Sequence, residues 1–159
     1  MVIIQKCCAL LETQALKIAF IESASSGYLA SQFSIFKNSG ADILLGGLVS
    51  YDPSIKIDVL KIDSMLIEQY TAESAEVTAA MAIQGHKLFK GANIIIACTG
   101  LLKPGGSASS EKPVGTFFIA ISDHNHLYEI KYFLEGTPIE KLNQLTQLVA
   151  QEIIQIIQR

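Results

Sequence analysis

Ile21-Glu22-Ser23-Ala24-Ser25-Ser26-Gly27-Tyr28-Leu29-Ala30 is the stretch on which the fold class turns. Before it, Lys17-Ile18-Ala19-Phe20-Ile21 is a β-branched and aromatic run without a breaker, which predicts a short buried strand. After it, Leu29, Phe33 and Phe36 recur at helical spacing. A strand that passes into a helix through so few residues is the start of an α/β unit. Three serines and Gly27 fill the junction. Free backbone N–H groups and the positive end of a helix dipole converge at such a place, and they stabilise anions and developing oxyanions. A serine here also suits the plain role of N-cap.

Outward from this junction, helices and strands alternate. Ile3, Ile4, Cys7, Cys8 and Leu11 form the apolar face of a first helix. The helix after the serine turn covers about 26–37 and ends at the turn Asn38-Ser39-Gly40. Residues 43–51 (ILLGGLVSY) predict a strand in which Gly46-Gly47 marks a bulge or a close approach. Asp52-Pro53 has the form of an N-cap with proline at the first helical position, so a short helix carries Ile55, Lys56 and Val59. A longer helix near 74–89 shows Val77, Met81, Leu88 and Phe89 and stops at Gly91. Residues 92–98 (ANIIIAC) are a continuous apolar run, the mark of a central strand covered on both faces. Residues 114–122 and 127–134 flank the polar turn DHNH as a hairpin. Thr137-Pro138-Ile139-Glu140 is a capping box for a last helix running through Leu142, Leu145, Val149, Ile153 and Ile156. The expected architecture is one α/β domain over residues 1–159, three α/β/α layers around a mixed, mostly parallel sheet.

Composition limits what this domain does. Apolar residues make up 50% of the 159 and charged residues 17%, which is the balance of a well-cored globular chain. A net charge of −3 argues against a general nucleic-acid or anionic-membrane surface. No apolar run approaches the roughly 18 residues needed to span a bilayer. The N-terminal MVIIQKCCALLETQALK lacks a basic region followed by a cleavable apolar core, so we expect a cytoplasmic protein. Cys7, Cys8 and Cys98 have neither a disulfide framework nor metal spacing, and His86, His124 and His126 form no metal pattern. His124 and His126 are expected to be solvated in their turn. No metal and no cofactor are expected.

Three strand ends are candidate sites, because α/β sheets place their ligands there. They are the serine turn 22–27, the segment Ser50-Tyr51-Asp52-Pro53-Ser54-Ile55-Lys56, and the long segment 99–113. Some fourteen structureless residues in a compact domain are uncommon and usually functional. Gly105-Gly106 and the serines of that segment can offer donors to a phosphate, although a solvated loop has the same composition. A hydroxyl, a lysine and an aromatic hydroxyl from two strand ends can perform acyl chemistry without histidine. A lysine desolvated in a pocket has a lowered pKa and can serve as base to a serine.

Taken together, these blocks resemble a known family. Glu22-Ser23-Ala24-Ser25-Ser26-Gly27 is similar to the family pattern AESCTGG. Leu48-Val49-Ser50-Tyr51-Asp52-Pro53-Ser54-Ile55-Lys56 is similar to VVTYSNEAK, with the same spacing from tyrosine to lysine. Thr99-Gly100, Pro104-Gly105-Gly106 and Glu111-Lys112-Pro113-Val114-Gly115 resemble TGIAGPGGGTPEKPVG. The resemblance is to the CinA C-terminal domain family, whose stand-alone members include nicotinamide-nucleotide amidases, and it covers nearly the whole chain in order.

What the resemblance implies is hydrolysis of the carboxamide of nicotinamide mononucleotide to nicotinic acid mononucleotide and ammonia. Carried over by position, it makes Ser23 the nucleophile and Lys56 its base, with Tyr51 assisting the proton path. Thr99 and Gly100 would line the pocket. Ser25, with Ser26 and Gly27 beside it, and the Gly105-Gly106 loop would hold the nucleotide. The family's GDR before the last helix appears here as Gly136-Thr137-Pro138, so an arginine able to meet a phosphate is missing, and Lys103 is the candidate replacement cation. Ser26 occupies a glycine slot, where a side chain restricts the backbone. Glu73 stands where the family has an apolar residue. The alternative function is a non-catalytic ligand-binding or regulatory domain of the same fold. The domain is often fused to an N-terminal one that these 159 residues do not contain, so the chain is expected to act alone or recruit a partner. The expected partner is a small nucleotide, not nucleic acid or membrane. The apolar Gly46-Gly47 strand and the aliphatic last helix would suit a homo-oligomer.

Overall fold

The computed structural model describes residues 2–159. Five strands form one sheet: β1 (Ile18–Glu22), β2 (Leu44–Val49), β3 (Ile94–Gly100), β4 (Thr116–Ser122) and β5 (Leu127–Phe133). Their spatial order is β2-β1-β3-β4-β5, with β1 parallel to β2 and β3, and β3, β4 and β5 antiparallel in turn. Six helices complete it: α1 (Val2–Thr13), α2 (Tyr28–Phe36), α3 (Pro53–Asp58), α4 (Ser64–Tyr70), α5 (Ala75–Leu88) and α6 (Pro138–Ile157).

The sheet divides the core into two. On one face, Phe20, Ile96 and Phe117 pack with Ile4 and Leu11 of α1, Phe33 of α2 and Val149 and Ile153 of α6. On the other, Ala19, Ile21, Ile95 and Ala97 pack with Val77 and Met81 of α5 and Leu60 and Ile62 of the segment before α4. Strands β1, β3 and β4 are buried along their whole length, which is why they appear in the sequence as unbroken apolar runs. Edge strands β2 and β5 alternate. The expected three layers and mixed sheet are present, with the parallel strands on one side and the hairpin on the other.

Several elements differ in detail. β3 continues two residues past Cys98, to Gly100, so the long connection begins at Leu101. Helix α4 has no counterpart in our reading of the sequence. Asp63 caps it, accepting from the Met65 amide at 2.9 Å, but seven residues are too few for a periodic signal to emerge. Gly46-Gly47 fulfils both suggested roles. Leu45 is an extra residue in the register between β1 and β2, and a side chain on Gly47 would meet the Phe20 carbonyl at 3.3 Å. His124 is not simply solvated, because its ring nitrogen bonds the Ala92 carbonyl at 2.9 Å and its ring lies 3.8 Å from that of His86. The capping box of α6 is present in both directions.

The connections place the C-terminal ends of β1, β2 and β3 side by side. Chain order runs from β1 through α2 to β2, then through α3, α4 and α5 to β3 on the other side of β1. β1 is therefore the strand at which the winding reverses, and the crevice beyond its end is where open α/β sheets bind ligands. Glu22, the last residue of β1, faces Val49 of β2 and Cys98 of β3. Its side chain is 1% exposed, and its two carboxylate oxygens accept the amides of Leu29 and Ala30 at 2.9 and 3.0 Å. Helix α2 is thus capped by an acid six residues before its start, while Gly27 holds the cap position at φ 92° without a side-chain bond. None of the serines performs that role.

Glu22→Ala leaves two buried amides without partners and removes the charge from the α2 dipole. We expect a loss of about 3 kcal/mol, visible as a lower urea midpoint at unchanged slope. A loss of under about 0.5 kcal/mol, the range of ordinary surface changes, would refute this capping role.

Candidate functional site

Ser23 and Lys56, 33 residues apart in sequence, meet at the end of β1: Lys56 Nζ lies 2.9 Å from Ser23 Oγ. Each is placed by local structure. The Ser23 amide donates to the Cys98 carbonyl at 3.0 Å, which fixes the residue to the end of β3. Asp52 caps α3 by accepting from the Ser54 amide at 2.9 Å, and Pro53 starts the helix. One turn of α3 then turns Lys56 inward. Ser50 joins the two halves. Its amide donates to the Glu22 carbonyl at 2.7 Å, and its own carbonyl accepts from Lys56 Nζ at 2.5 Å.

Lys56 is 0% exposed. Its neighbours are a hydroxyl and a carbonyl, and it forms no ion pair among the described residues. Burial pushes its pKa below the ordinary lysine range, and the more distant carboxylates of Glu73 and Asp52 pull partly the other way. Burial thus makes the charged form costlier than for an ordinary lysine, and the amine lies within reach of a serine hydroxyl. That is the arrangement an activated serine needs.

A cavity of about 150 Å³ is lined by Ala24, the residue after Ser23, by Tyr51 and Glu73, and by the run from Gly100 to Gly106; Ser23 and Lys56 are not among its lining residues. Of the residues singled out from sequence, it therefore gathers Tyr51, Gly100, Lys103, Gly105 and Gly106. Tyr51 is 61% exposed and forms a wall of the opening; its hydroxyl makes no hydrogen bond to Ser23 or Lys56. Gly100 is required by packing, because a Cβ there would collide with the Phe117 ring. Lys103 is exposed at the cavity.

Four candidates lie elsewhere. Thr99 is fully buried, and its hydroxyl pairs with that of Thr78 on α5 at 2.8 Å, so it faces the α5 layer. Ser25 is buried beside Cys98, whose thiol burial pushes up to about 12. Ser26 is exposed and takes φ 52°, a left-handed conformation that costs a residue with a Cβ about 1 kcal/mol relative to glycine. Gly27 is the cap of α2. The helix amides pictured as an anion site are occupied too, since Leu29 and Ala30 donate to Glu22. The amides of Ala24, Ser25 and Gly27 are those of the turn that find no partner among the described residues.

Sequence reasoning missed two groups. Ser50 has no local signature. Glu73, noted only as a departure from the family pattern, lines the cavity. Its Oε2 accepts from Ser107 Oγ at 2.7 Å, and its carbonyl accepts from Lys112 Nζ at 2.6 Å. Lys112 also donates to Thr71 Oγ1 at 2.7 Å. These bonds fasten the 101–115 connection to the entry of α5. Lys141 of α6 fastens its other end, donating to the Leu102 carbonyl at 3.0 Å. Among the described residues no group of three or more His, Cys, Asp or Glu could hold a metal ion, and no helix is long and apolar enough to cross a membrane.

Comparison with known proteins identifies the family and the fold. The family model described as the CinA C-terminal domain matches residues 2–157. A CinA-like protein from Flavobacterium psychrophilum is 35% identical over 151 residues, 91% of this chain and 35% of its own length. Another from Geotalea daltonii is 39% identical over 105 residues, 66% of this chain and 25% of its own. The chain thus spans about a quarter to a third of the curated relatives it matches. Among solved structures, a CinA superfamily protein from Klebsiella pneumoniae has a TM-score of 0.88 at 19% identity, covering 98% of this chain and 95% of that one. A competence or damage-inducible protein from Enterobacter asburiae has a TM-score of 0.87 at 21% identity, covering 97% and 96%. At these identities the structures speak for the fold alone, whereas the family model spans nearly every residue. This chain belongs to the CinA C-terminal domain family.

Proposed function

We propose that this chain is an amidohydrolase that converts nicotinamide mononucleotide to nicotinic acid mononucleotide and ammonia. The observation that carries this reading is the 2.9 Å contact between Ser23 Oγ and a fully buried Lys56 Nζ. In the neutral state Lys56 takes the Ser23 proton while Oγ attacks the carboxamide carbon. The amides of Ala24 and Ser25, lacking partners among the described residues, are the candidate donors to the resulting oxyanion. Lys56 returns the proton to the amide nitrogen, the C–N bond breaks and ammonia leaves. Water, giving its proton to Lys56, then attacks the acyl carbon; the bond to Oγ breaks, Lys56 returns the proton to Ser23 Oγ, and the acid is released. Ser50 steadies the lysine through its carbonyl. In this reading Tyr51 is a wall of the cavity for a flat ring and not a proton carrier. The nucleotide is a small-molecule partner, and no cofactor takes part.

A non-catalytic binding domain remains the second reading, favoured by Gly136-Thr137-Pro138 in place of the family's GDR. Thr137 is spent on capping α6, leaving no arginine at that corner. The phosphate is then left to Lys103 and the Gly105-Gly106 amides. An ammonia-release assay on nicotinamide mononucleotide separates the two readings.

Ser23→Ala should lower ammonia release by about 10³-fold or more, and Lys56→Met by a similar factor. The double variant should be no worse than either, because nucleophile and base act as one unit. Near-full activity in Ser23→Ala would assign the attack to another group. Lys103→Ala should weaken binding of nicotinamide mononucleotide about tenfold in calorimetry; unchanged affinity would take Lys103 out of the site.

The pH profile gives an independent measure. The neutral amine is the active form, so kcat/KM should rise with pH through the Lys56 pKa, which burial sets below the ordinary lysine range. Glu73 holds that pKa up, and Glu73→Gln should therefore move the acid limb to lower pH. A limb that moves upward, or none at all, contradicts Lys56 as base.

A further inference from the structure

We propose that Glu73 determines specificity, its carboxylate selecting carboxamides that carry a positive charge on the ring next to the amide. This deepens the proposed function, on which it rests for the identity of the reacting group. Glu73 lines the same cavity as Ala24, the residue after Ser23, and Tyr51. It is half-buried and has no ion-pair partner among the described residues. Lys112 of the connection directs two of its three N–H donors to the Glu73 carbonyl and the Thr71 hydroxyl. One carboxylate oxygen is held by Ser107 at 2.7 Å. The other lies 3.2 Å from where a Cβ on Gly106 would stand, so glycine at 106 lets the loop close onto the acid.

The Glu73 carboxylate acts on Lys56 and Lys112 only at a distance and pairs with neither, so, partly desolvated, it still raises the local preference for a cation and repels an anion. Of the donors that would otherwise welcome a phosphate here, the Ser107 hydroxyl and two of the three Lys112 N–H groups are already engaged. Tyr51 lines the same cavity, and an aromatic ring there adds attraction for a cationic ring. A pyridinium carboxamide fits this set: amide toward Ser23, charged ring between Tyr51 and Glu73. An anionic tail would then point away from Glu73, toward exposed Lys103.

The test uses binding alone, with the full chain in a Ser23→Ala background so that turnover does not enter. Calorimetric titrations compare 1-methylnicotinamide, a cation without phosphate, with neutral nicotinamide. We expect the cation to bind about tenfold more tightly. Glu73→Gln should bring the two within about twofold by weakening only the cation, since the charge and not the shape is lost. Ser107→Ala, which frees the loop but keeps the charge, should retain the preference. Inorganic phosphate at millimolar concentration should not compete with the cation. Equal affinities in the parent, a preference that survives Glu73→Gln, competition by phosphate, or no binding of either probe at millimolar concentration would each overturn the proposal. A silent ammonia assay together with an intact preference for the cation would overturn the hydrolytic reading and support the role of Glu73.

Discussion

The buried carboxylate of Glu22 organises the site more than any catalytic group does. It lies at the end of the strand where the winding of the sheet reverses, and both of its oxygens accept amides from the first turn of α2. A charge taken out of water must be matched by charge-assisted bonds or it costs several kcal/mol. Two helix amides and the positive end of the α2 dipole provide that match. The same residue's carbonyl takes the Ser50 amide and so fixes the end of β2. Ser23, the next residue along, is thereby held in a turn whose shape is set from both sides.

Lys56 reaches this turn from another strand end, and its position carries a cost in stability. An amine without an ion pair in the interior is costly when charged. The fold bears this cost because α3 is anchored by Asp52 and Pro53 and because Ser50 and Ser23 supply two oxygens. The environment that makes the charged state expensive is the one that lowers the lysine pKa. Ser26 in a left-handed conformation adds a second small cost in the same turn.

The wall opposite is built from the 101–115 connection, which is long but not loose. Lys141 holds it from α6, while Lys112 and Ser107 hold it from the entry of α5. Glu73 stands at the meeting point, so the group that fastens the loop also sets the charge of the cavity. A serine of the segment that composition would assign to a phosphate, Ser107, is instead used to build the wall.

By itself the sequence determined the layers, the strand that leads into the serine turn, the capped starts of α3 and α6, and the three strand ends where a site could form. These are legible because apolar periodicity and capping chemistry act over a few residues. Helix α4, at seven residues, lies below the length at which that periodicity is visible. The family resemblance picked out Ser23 and Lys56 by motif, but only the fold brought them to 2.9 Å across 33 residues. The tertiary structure alone decided that Thr99 faces α5, that Tyr51 stands exposed as a wall, and that Glu22 rather than a serine caps α2. It also decided which lysines are already engaged. Such facts depend on which strand lies beside which and on where a charge finds its partners, and these are contacts between segments that no local pattern encodes.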